Sequence, residues 1–332
     1  RQSPGGLMRR VAWAVLTGLG VFFIMLAVLS RFFVPAQAVK FPLNEYTKTT
    51  LQANNASYFS SKSVTELSGV TLQTTTTTKG DVAAAKSVGS SKVAVWQTYS
   101  AVEDITNHAA VSIPTDGNSL AFDRKTGALV PWSGNTVAGK PVNISGQEQG
   151  SLFPLGTQKK DYQVFDTTLL RPVTFHYTGT ATTDGVATYV FVANVPATQV
   201  GTKSLPGALV GLKPSEVTLP EFYSAKETYF VDPATGVPLA VDQNVQQTLQ
   251  DNAGTTRLVL LSADFKTTPA SVASHVKTVK DATTKINVLK VIVPIVAGLL
   301  GVILLVIGLV LSRLQPEDEE YEDDDEAIRV PA

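Results

Sequence analysis

The chain has 332 residues, 27 Lys and Arg against 28 Asp and Glu, and no cysteine, a length that allows two or three domains. The missing thiols exclude disulfide scaffolds, thiol catalysis, iron–sulfur clusters and cysteine zinc sites, and three scattered histidines argue against a His-rich metal centre. Near-neutrality hides three zones: residues 1–10 carry +3, residues 11–312 carry +3 and the last twenty carry −7, and no zone large enough to fold is basic enough to suggest nucleic acid as a partner.

Residues 1–10 form a short basic flank, and 11–34 hold the first apolar segment. Its run Val11–Leu29 is nineteen residues without a charge, enough to cross a hydrocarbon core of about 30 Å. A second uncharged run, Val291–Leu311, makes 291–312 the other transmembrane helix. Two spans leave both termini on one side. Arg9 and Arg10 before the first span and Arg313 after the second favour the cytoplasm, against Lys285 and Lys290 on the far side of the second span. Ala36-Gln37-Ala38 is an A-x-A site of the kind that ends a signal peptide. The apolar run exceeds the usual h-region of about 7–15 residues, and Arg31 interrupts the approach to the site, so we expect an uncleaved anchor. The expected location is the cytoplasmic (inner) membrane, with the main domain on the exoplasmic or periplasmic side.

Residues 39–268 are crowded with Thr and Val, which favour strands, and show little helical periodicity. Ser91–Tyr99 alternates, and Tyr189–Val192, Thr228–Val231 and Leu258–Leu261 are short apolar runs of strand length. Asp184-Gly185 and Asn252-Ala253-Gly254 separate strand-like segments as hairpin turns do. A five-residue pattern occurs twice, Asp123-Arg124-Lys125-Thr126-Gly127 and Asp232-Pro233-Ala234-Thr235-Gly236. The physics is that of a turn: Asp accepts backbone N–H bonds ahead of it and Gly supplies a left-handed exit. Asp123, Thr126, Gly127, Asp232, Thr235 and Gly236 are therefore assigned to structural turns rather than to catalysis or metal binding.

At Thr268 the character changes. Thr268 suits an N-cap and Pro269 the first helical position. Val272, Val276 and Val279 follow at helical spacing, predicting an extramembrane helix over 269–290 that runs on into the span as one rod of about 65 Å, with Pro294 a candidate kink. Residues 313–332, including the acidic run Pro316–Glu326, read as a disordered cytoplasmic tail. Its plain role is repulsion from an anionic leaflet, and its sharper role is docking a basic partner. Ala14-x3-Gly18 and Ala297-x3-Gly301 are small-x3-small pairs that let helices pack closely.

Taken together, AFDRKTGALV (Ala121–Val130), LFPLGTQKKDYQVFD (Leu152–Asp166), VATYVFVANVP (Val186–Pro196), YFVDPATGVP (Tyr229–Pro238) and the Thr268–Gly301 helix resemble a family of actinobacterial membrane proteins labelled PorA or porin-like and including LmcA-like proteins. The resemblance covers most of the chain in order and spacing. It implies a cell-envelope protein with an elongated β-barrel-like ectodomain enclosing apolar cavities, connected with envelope lipids or lipoglycans. It carries over no catalytic residue and does not account for the acidic tail.

The residues give little sign of an enzyme. Glu103-Asp104, Glu148 and Glu221 with Glu227 supply carboxylates, but no nucleophile elbow, zinc-protease, P-loop or dinucleotide motif accompanies them. His108, His176 and His275 are isolated, and Trp96 and Trp132 read as core anchors or cavity lining. A porin would need alternating strands of about ten residues with aromatic girdles, whereas the apolar runs here are short and Thr-rich. Lys277, Lys280, Lys285 and Lys290 are candidate contacts for anionic lipid headgroups or an ordinary solvated face. The expected architecture is mainly β, a barrel-like exoplasmic domain flanked by two transmembrane helices, with no cofactor and no metal. The expected function is non-catalytic binding or presentation of a lipid or lipid-linked glycan in envelope biogenesis. The alternatives are a scaffold or accessory subunit that partners envelope-biosynthesis membrane proteins and, below it, a porin.

Overall fold

A computed structural model describes residues 4–33, 39–112 and 116–314 of the chain. The side chains of residues 1–10, the Ala36–Ala38 site and the acidic tail lie outside the described residues. The chain divides into two units, Arg1–Ala38 with Lys285–Ala332, and Val39–Thr284.

The second unit is a mainly antiparallel β structure. Its strands are β1 (Tyr46–Ser60), β2 (Thr65–Gly80), β3 (Val93–Asp104), β4 (Ala109–Ser112), β5 (Asn118–Asp123), β6 (Thr136–Val137), β7 (Lys140–Pro141), β8 (Tyr162–Asp166), β9 (Arg171–Thr183), β10 (Val186–Pro206), β11 (Glu216–Val231), β12 (Pro238–Gln250) and β13 (Thr256–Thr267). The apolar runs understate their length: β10 has 21 residues and β2 and β11 have 16 each. Threonine explains the difference. The tract Thr74–Thr78 is β-branched and pairs rung by rung with Leu51–Thr47 and Val102–Thr98 on either side, so strands extend past the point where apolar alternation ends. Asp184 and Gly185, with φ of 45° and 77°, make the tight turn between β9 and β10.

The thirteen strands form one sheet in the order β7-β6-β5-β3-β2-β1-β13-β12-β11-β10-β9-β8, with β4 beside β3. The barrel expected from the sequence is not closed by strand pairing. Among the described residues no ladder joins its ends; single bridges, Phe122 to Leu129, Ala128 to Gln149 and Gln149 to Val164, run from β5 across to β8. The reason lies in residues 127–156, where six glycines and three prolines prevent a continuous ladder.

The two Asp turns hold that segment in place. Asp123 Oδ1 accepts from the Lys125 and Thr126 amides at 2.8 and 2.9 Å. Asp232 Oδ2 accepts from the Thr235 amide at 2.8 Å and its hydroxyl at 2.6 Å. Gly127 and Gly236 leave the turns with φ of 68° and 69°. Both turns then bond the strap Gly150–Gly156 lying between them. Gly150 and Leu155 donate to Gly127 and Lys125 of the first turn, and Phe153 and Gly156 donate to Gly236 and Ala234 of the second. A Cβ at Gly236 would sit 2.1 Å from the Phe153 carbonyl oxygen. Phe153 itself is fully buried, stacked on Phe191 with centroids 4.7 Å apart.

Two buried carboxylates serve as local caps. Asp104 accepts from the Thr106 and Asn107 amides, the Asn107 side chain and the Tyr58 hydroxyl. Glu148 accepts from the Ser145 and Gln147 amides and from the Ser145 hydroxyl. Burial opposes ionisation of each, but these bonds outweigh it and hold both below the usual carboxylate range. A short helix α2 (Val82–Ser87) is capped by Asp81, which accepts from the Ala84 amide at 2.8 Å. Trp96 packs edge-on against Phe41 and Phe122, and Trp132 lies against the cluster of Val93, Val95 and Ala121.

Helix α3 (Pro269–Asn287) begins where Thr268 Oγ1 accepts from the Ser271 amide. Val276 and Val279 bury against Leu239. His275 is a docking residue: one ring nitrogen lies 3.0 Å from the Leu239 carbonyl, the other 3.0 Å from the Thr49 hydroxyl. Helical backbone continues through one π-turn, Val288–Ile292, into α4 (Val293–Arg313). Pro294 lacks the N–H that a regular turn requires there, and the Val293 amide reaches back five residues to Val288.

In the first unit, α1 (Pro4–Phe32) packs on α4. Both contain segments long and apolar enough to cross a membrane. Gly301 is at the contact, but Gly18 is not, since a Cβ there would meet nothing within 4 Å. The α1 contact uses Thr17, Gly20 and Ile24, and a Cβ on Gly20 would lie 2.7 Å from the Leu305 amide nitrogen. Helical phase is the cause: residues 13, 17, 20, 24 and 27 share a face that 14 and 18 flank.

Two substitutions test these contacts. Gly236→Ala should lower the melting temperature far more than Gly185→Ala, because both sites have positive φ but only Gly236 meets backbone within 4 Å. Equal losses by circular dichroism would remove the role given to the strap. Gly301→Leu should destabilise the helix pair by about 1–3 kcal/mol, read as loss of crosslinking between cysteines introduced at Ala27 and Gly298.

Candidate functional site at a fork in the sheet

β9 is not paired to β10 along its whole length. From His176 to Thr183 it bonds β10, but from Arg171 to Phe175 it bonds β8 alone. Among the described residues, β10 beyond Val192 has no strand partner on that side. The split begins two rungs past a bulge, where Thr178 is the extra residue between the Gly179–Val190 and Tyr177–Phe191 rungs, and bulges bend a strand away from its partner. Pro172 and Pro196 stand on the two separated edges and have no N–H to give a ladder. A second bulge in β10, between Val195 and Thr198, moves that edge further.

The fork has two faces. Outside it is a groove of about 380 Å³ whose polar groups are Arg171, Thr174, His176 and Asn194, with Pro172 and Pro196 among its walls. Inside is a cavity of about 130 Å³ reached by Asp166, Tyr223, Glu227, Tyr229 and Gln243. Val173 and Val195 line both spaces. The His176 ring is oriented by Asp161, whose Oδ2 lies 2.7 Å from Nδ1.

The inner cavity places acids where the strand pattern calls for apolar residues. Tyr223, Ala225, Glu227, Tyr229 and Val231 alternate along the inward face of β11, and Glu227 is only 9% exposed. Gln243, its rung partner on β12, donates Nε2 to Glu227 Oε1 at 2.9 Å, and the Tyr229 hydroxyl bonds the same carboxylate. Burial, and then the Asp166 charge, push Glu227 above the usual carboxylate range against the effect of its hydrogen bonds. Asp166 is raised as well, by burial first, although it accepts from the Thr168 and Leu169 amides and faces Arg171 across the β8–β9 rung. Burial also raises the Tyr223 and Tyr229 phenols.

Of the residues weighed from the sequence, Glu227 and His176 line this fork, and the candidate lysines and turn residues do not. Lys277, Lys280 and Lys285 are exposed on α3, with Asp281 beside them, and Lys290 is exposed in the π-turn. Asp123 and Asp232 belong to the clamp. Glu221 faces Lys203 at 3.7 Å, and Asp104 and Glu148 are consumed as caps. Among the described residues no group of three or more His, Asp or Glu could hold a metal ion. The one sign visible in the sequence was a charged residue, Glu227, on the apolar side of an alternating strand.

Two Glu227 variants separate shape from charge. Glu227→Ala should cost about 1–3 kcal/mol, because Gln243 and Tyr229 lose a buried acceptor. Glu227→Gln should match the wild type at pH 5. A carboxyl raised in the folded state contributes stability that is full below its unfolded value and is lost as pH rises through the folded value. The wild type should therefore fall below Glu227→Gln in melting temperature between pH 5 and 8. A constant difference across that range would contradict this.

No curated relative matches the chain. The family model described as Porin PorA matches residues 13–310, a span that includes the whole of the second unit. The chain belongs to the porin PorA family.

Proposed function

We propose that this chain is a membrane-anchored, non-catalytic protein of the cell envelope that holds the polar part of a lipid-linked glycan in the fork groove. In this reading α1 and α4 span the cytoplasmic membrane with both termini in the cytoplasm, and the β domain lies on the exoplasmic side. The observation that carries it is the groove itself. It is kept open by a bulge and two prolines, falls within the roughly 300–1,000 Å³ of small-molecule sites, and offers a guanidinium, an amide, a hydroxyl and an imidazole. Those groups donate and accept as sugar hydroxyls require.

The inner cavity gives no comparable room for an acyl chain. An apolar cavity of about 150 Å³ takes one benzene ring, and the inner cavity here is smaller and polar. Lipid tails would then stay in the bilayer, with Lys277, Lys280, Lys285 and Lys290 available to anionic headgroups. A strand-lined pore is disfavoured by the outward face of β11–β13. Its rungs Lys226–Asn244–Asp264 and Thr228–Asp242–Lys266 would put charge where a membrane barrel carries an apolar band.

A second reading, a scaffold or accessory subunit for envelope-biosynthesis proteins, is favoured by how fully side chains fill the β domain. Native mass spectrometry of the full chain, purified in detergent from an actinobacterial host, separates the two. A stoichiometric mannosylated phospholipid should co-purify with the wild type and fall at least tenfold with Arg171→Ala plus Asn194→Ala. Purification free of glycolipid, with none taken up on addition, would leave the scaffold reading.

A further inference from the structure

The inner cavity poses an electrostatic problem that its hydrogen bonds do not solve. Two carboxylates, Asp166 on β8 and Glu227 on β11, share one small space. Among the described residues Glu227 makes no ion pair. The charged and titratable groups facing it are few. β8 presents Asp166; β9 presents Arg171 on the Asp166 rung and otherwise Val173 and Phe175; β10 presents Ala193 and Val195. β11 adds Tyr223 and Tyr229, and β12 adds the neutral Gln243. With both acids ionised, no cation lies on the Glu227 side, and like charges in a partly desolvated site repel strongly. One of the two elements carrying these acids lies outside the β9–β10 ladder. β8 and residues 171–175 of β9 form a prong that reaches β10 only through the ladder that starts at the His176–Val192 rung. On its other edge the prong is held by Gln149, which bonds Gln163 and Phe165, and its side chains Tyr162, Val164, Phe165 and Phe175 are buried in the core.

We propose that the fork is a proton-operated gate. With one proton held between Glu227 and Asp166, the β8–β9 prong closes against β11. Loss of that proton drives the prong outward where the β9–β10 ladder ends at His176 and joins the inner cavity to the outer groove past Val173 and Val195. Protonated Glu227 is neutral, still accepts from Gln243, and leaves Asp166 as the single charge opposite Arg171. The raised ionisation of both acids agrees with this geometry. The gate concerns the same fork as the glycan site but does not depend on what the groove holds, and it is read on ligand-free protein.

Hydrogen exchange by mass spectrometry on the full chain in detergent, from pH 5 to 8 and corrected for intrinsic exchange, tests it. If opening releases one proton, the opening constant of 161–176 should rise about tenfold per pH unit between the ordinary carboxylate value and the raised one. β1 and β2 should show no such slope. Glu227→Gln should abolish the slope and keep the prong protected. If that variant does not fold, Asp166→Asn, whose amide oxygen can still accept from Thr168 and Leu169, should flatten it. His176→Gln removes the titratable pair on the outer side and should leave the slope in place. A wild-type prong indifferent to pH, a slope shared by the whole β domain, or one that survives Glu227→Gln or vanishes with His176→Gln would each overturn the proposal. None of these results bears on glycolipid co-purification, so either idea can fail alone.

Discussion

Everything in the β domain hangs on how residues 124–161, too rich in Gly and Pro to form a ladder, are held against a sheet that would otherwise have two free ends. The answer is a clamp. The Asp123 and Asp232 turns end β5 and β11, strands separated by five others in the sheet order, and both bond the strap Gly150–Gly156. Each turn is rigid because its Asp satisfies the amides that a tight reversal leaves unpaired, and each ends in a glycine whose missing Cβ lets another backbone approach. The strap in turn seats Phe153 among Tyr162, Phe191 and Tyr229. Through Gln149 the same segment bonds β8. The sheet's ends are thus brought together by turn chemistry and single bridges where a barrel would use a ladder.

The fork is the opposite kind of feature, a place where pairing is prevented. An unpaired edge invites strand addition, and the devices at this one are the recognised defences: a bulge to bend it, and prolines without a donor. Such an edge can stay open to solvent without recruiting another chain, which is what a binding groove in a sheet requires. Behind it the carboxylates of Asp166 and Glu227 sacrifice stability, since apolar residues at the same positions would pack with no desolvation penalty. That sacrifice sits where the β9–β10 ladder stops.

The helix pair follows a separate logic. In hydrocarbon there is no hydrophobic drive between helices, so close backbone contact does the work. Gly20 and Gly301 approach so nearly that neither has room for a Cβ. The π-turn ahead of α4 follows from Pro294, and it widens the helix where the apolar span begins.

Much of this was legible locally. Two uncharged runs, the wealth of Thr and Val between them, the paired Asp-to-Gly turns and the Thr268-Pro269 helix start each depend on neighbours within a few residues, and so the amino-acid sequence alone determined them. Strand length was underestimated because threonine continues a strand without the apolar alternation that marks one. The small-residue face of α1 was displaced because a spacing of four is satisfied by several faces of one helix. The open sheet, the clamp, the fork and the cavity around Glu227 were decided only by the tertiary structure. Each depends on pairings between separate strands, through register and bulges. A one-residue change in register turns every side chain of a strand to the other face, and no local pattern encodes which partner, or which rung, will be chosen.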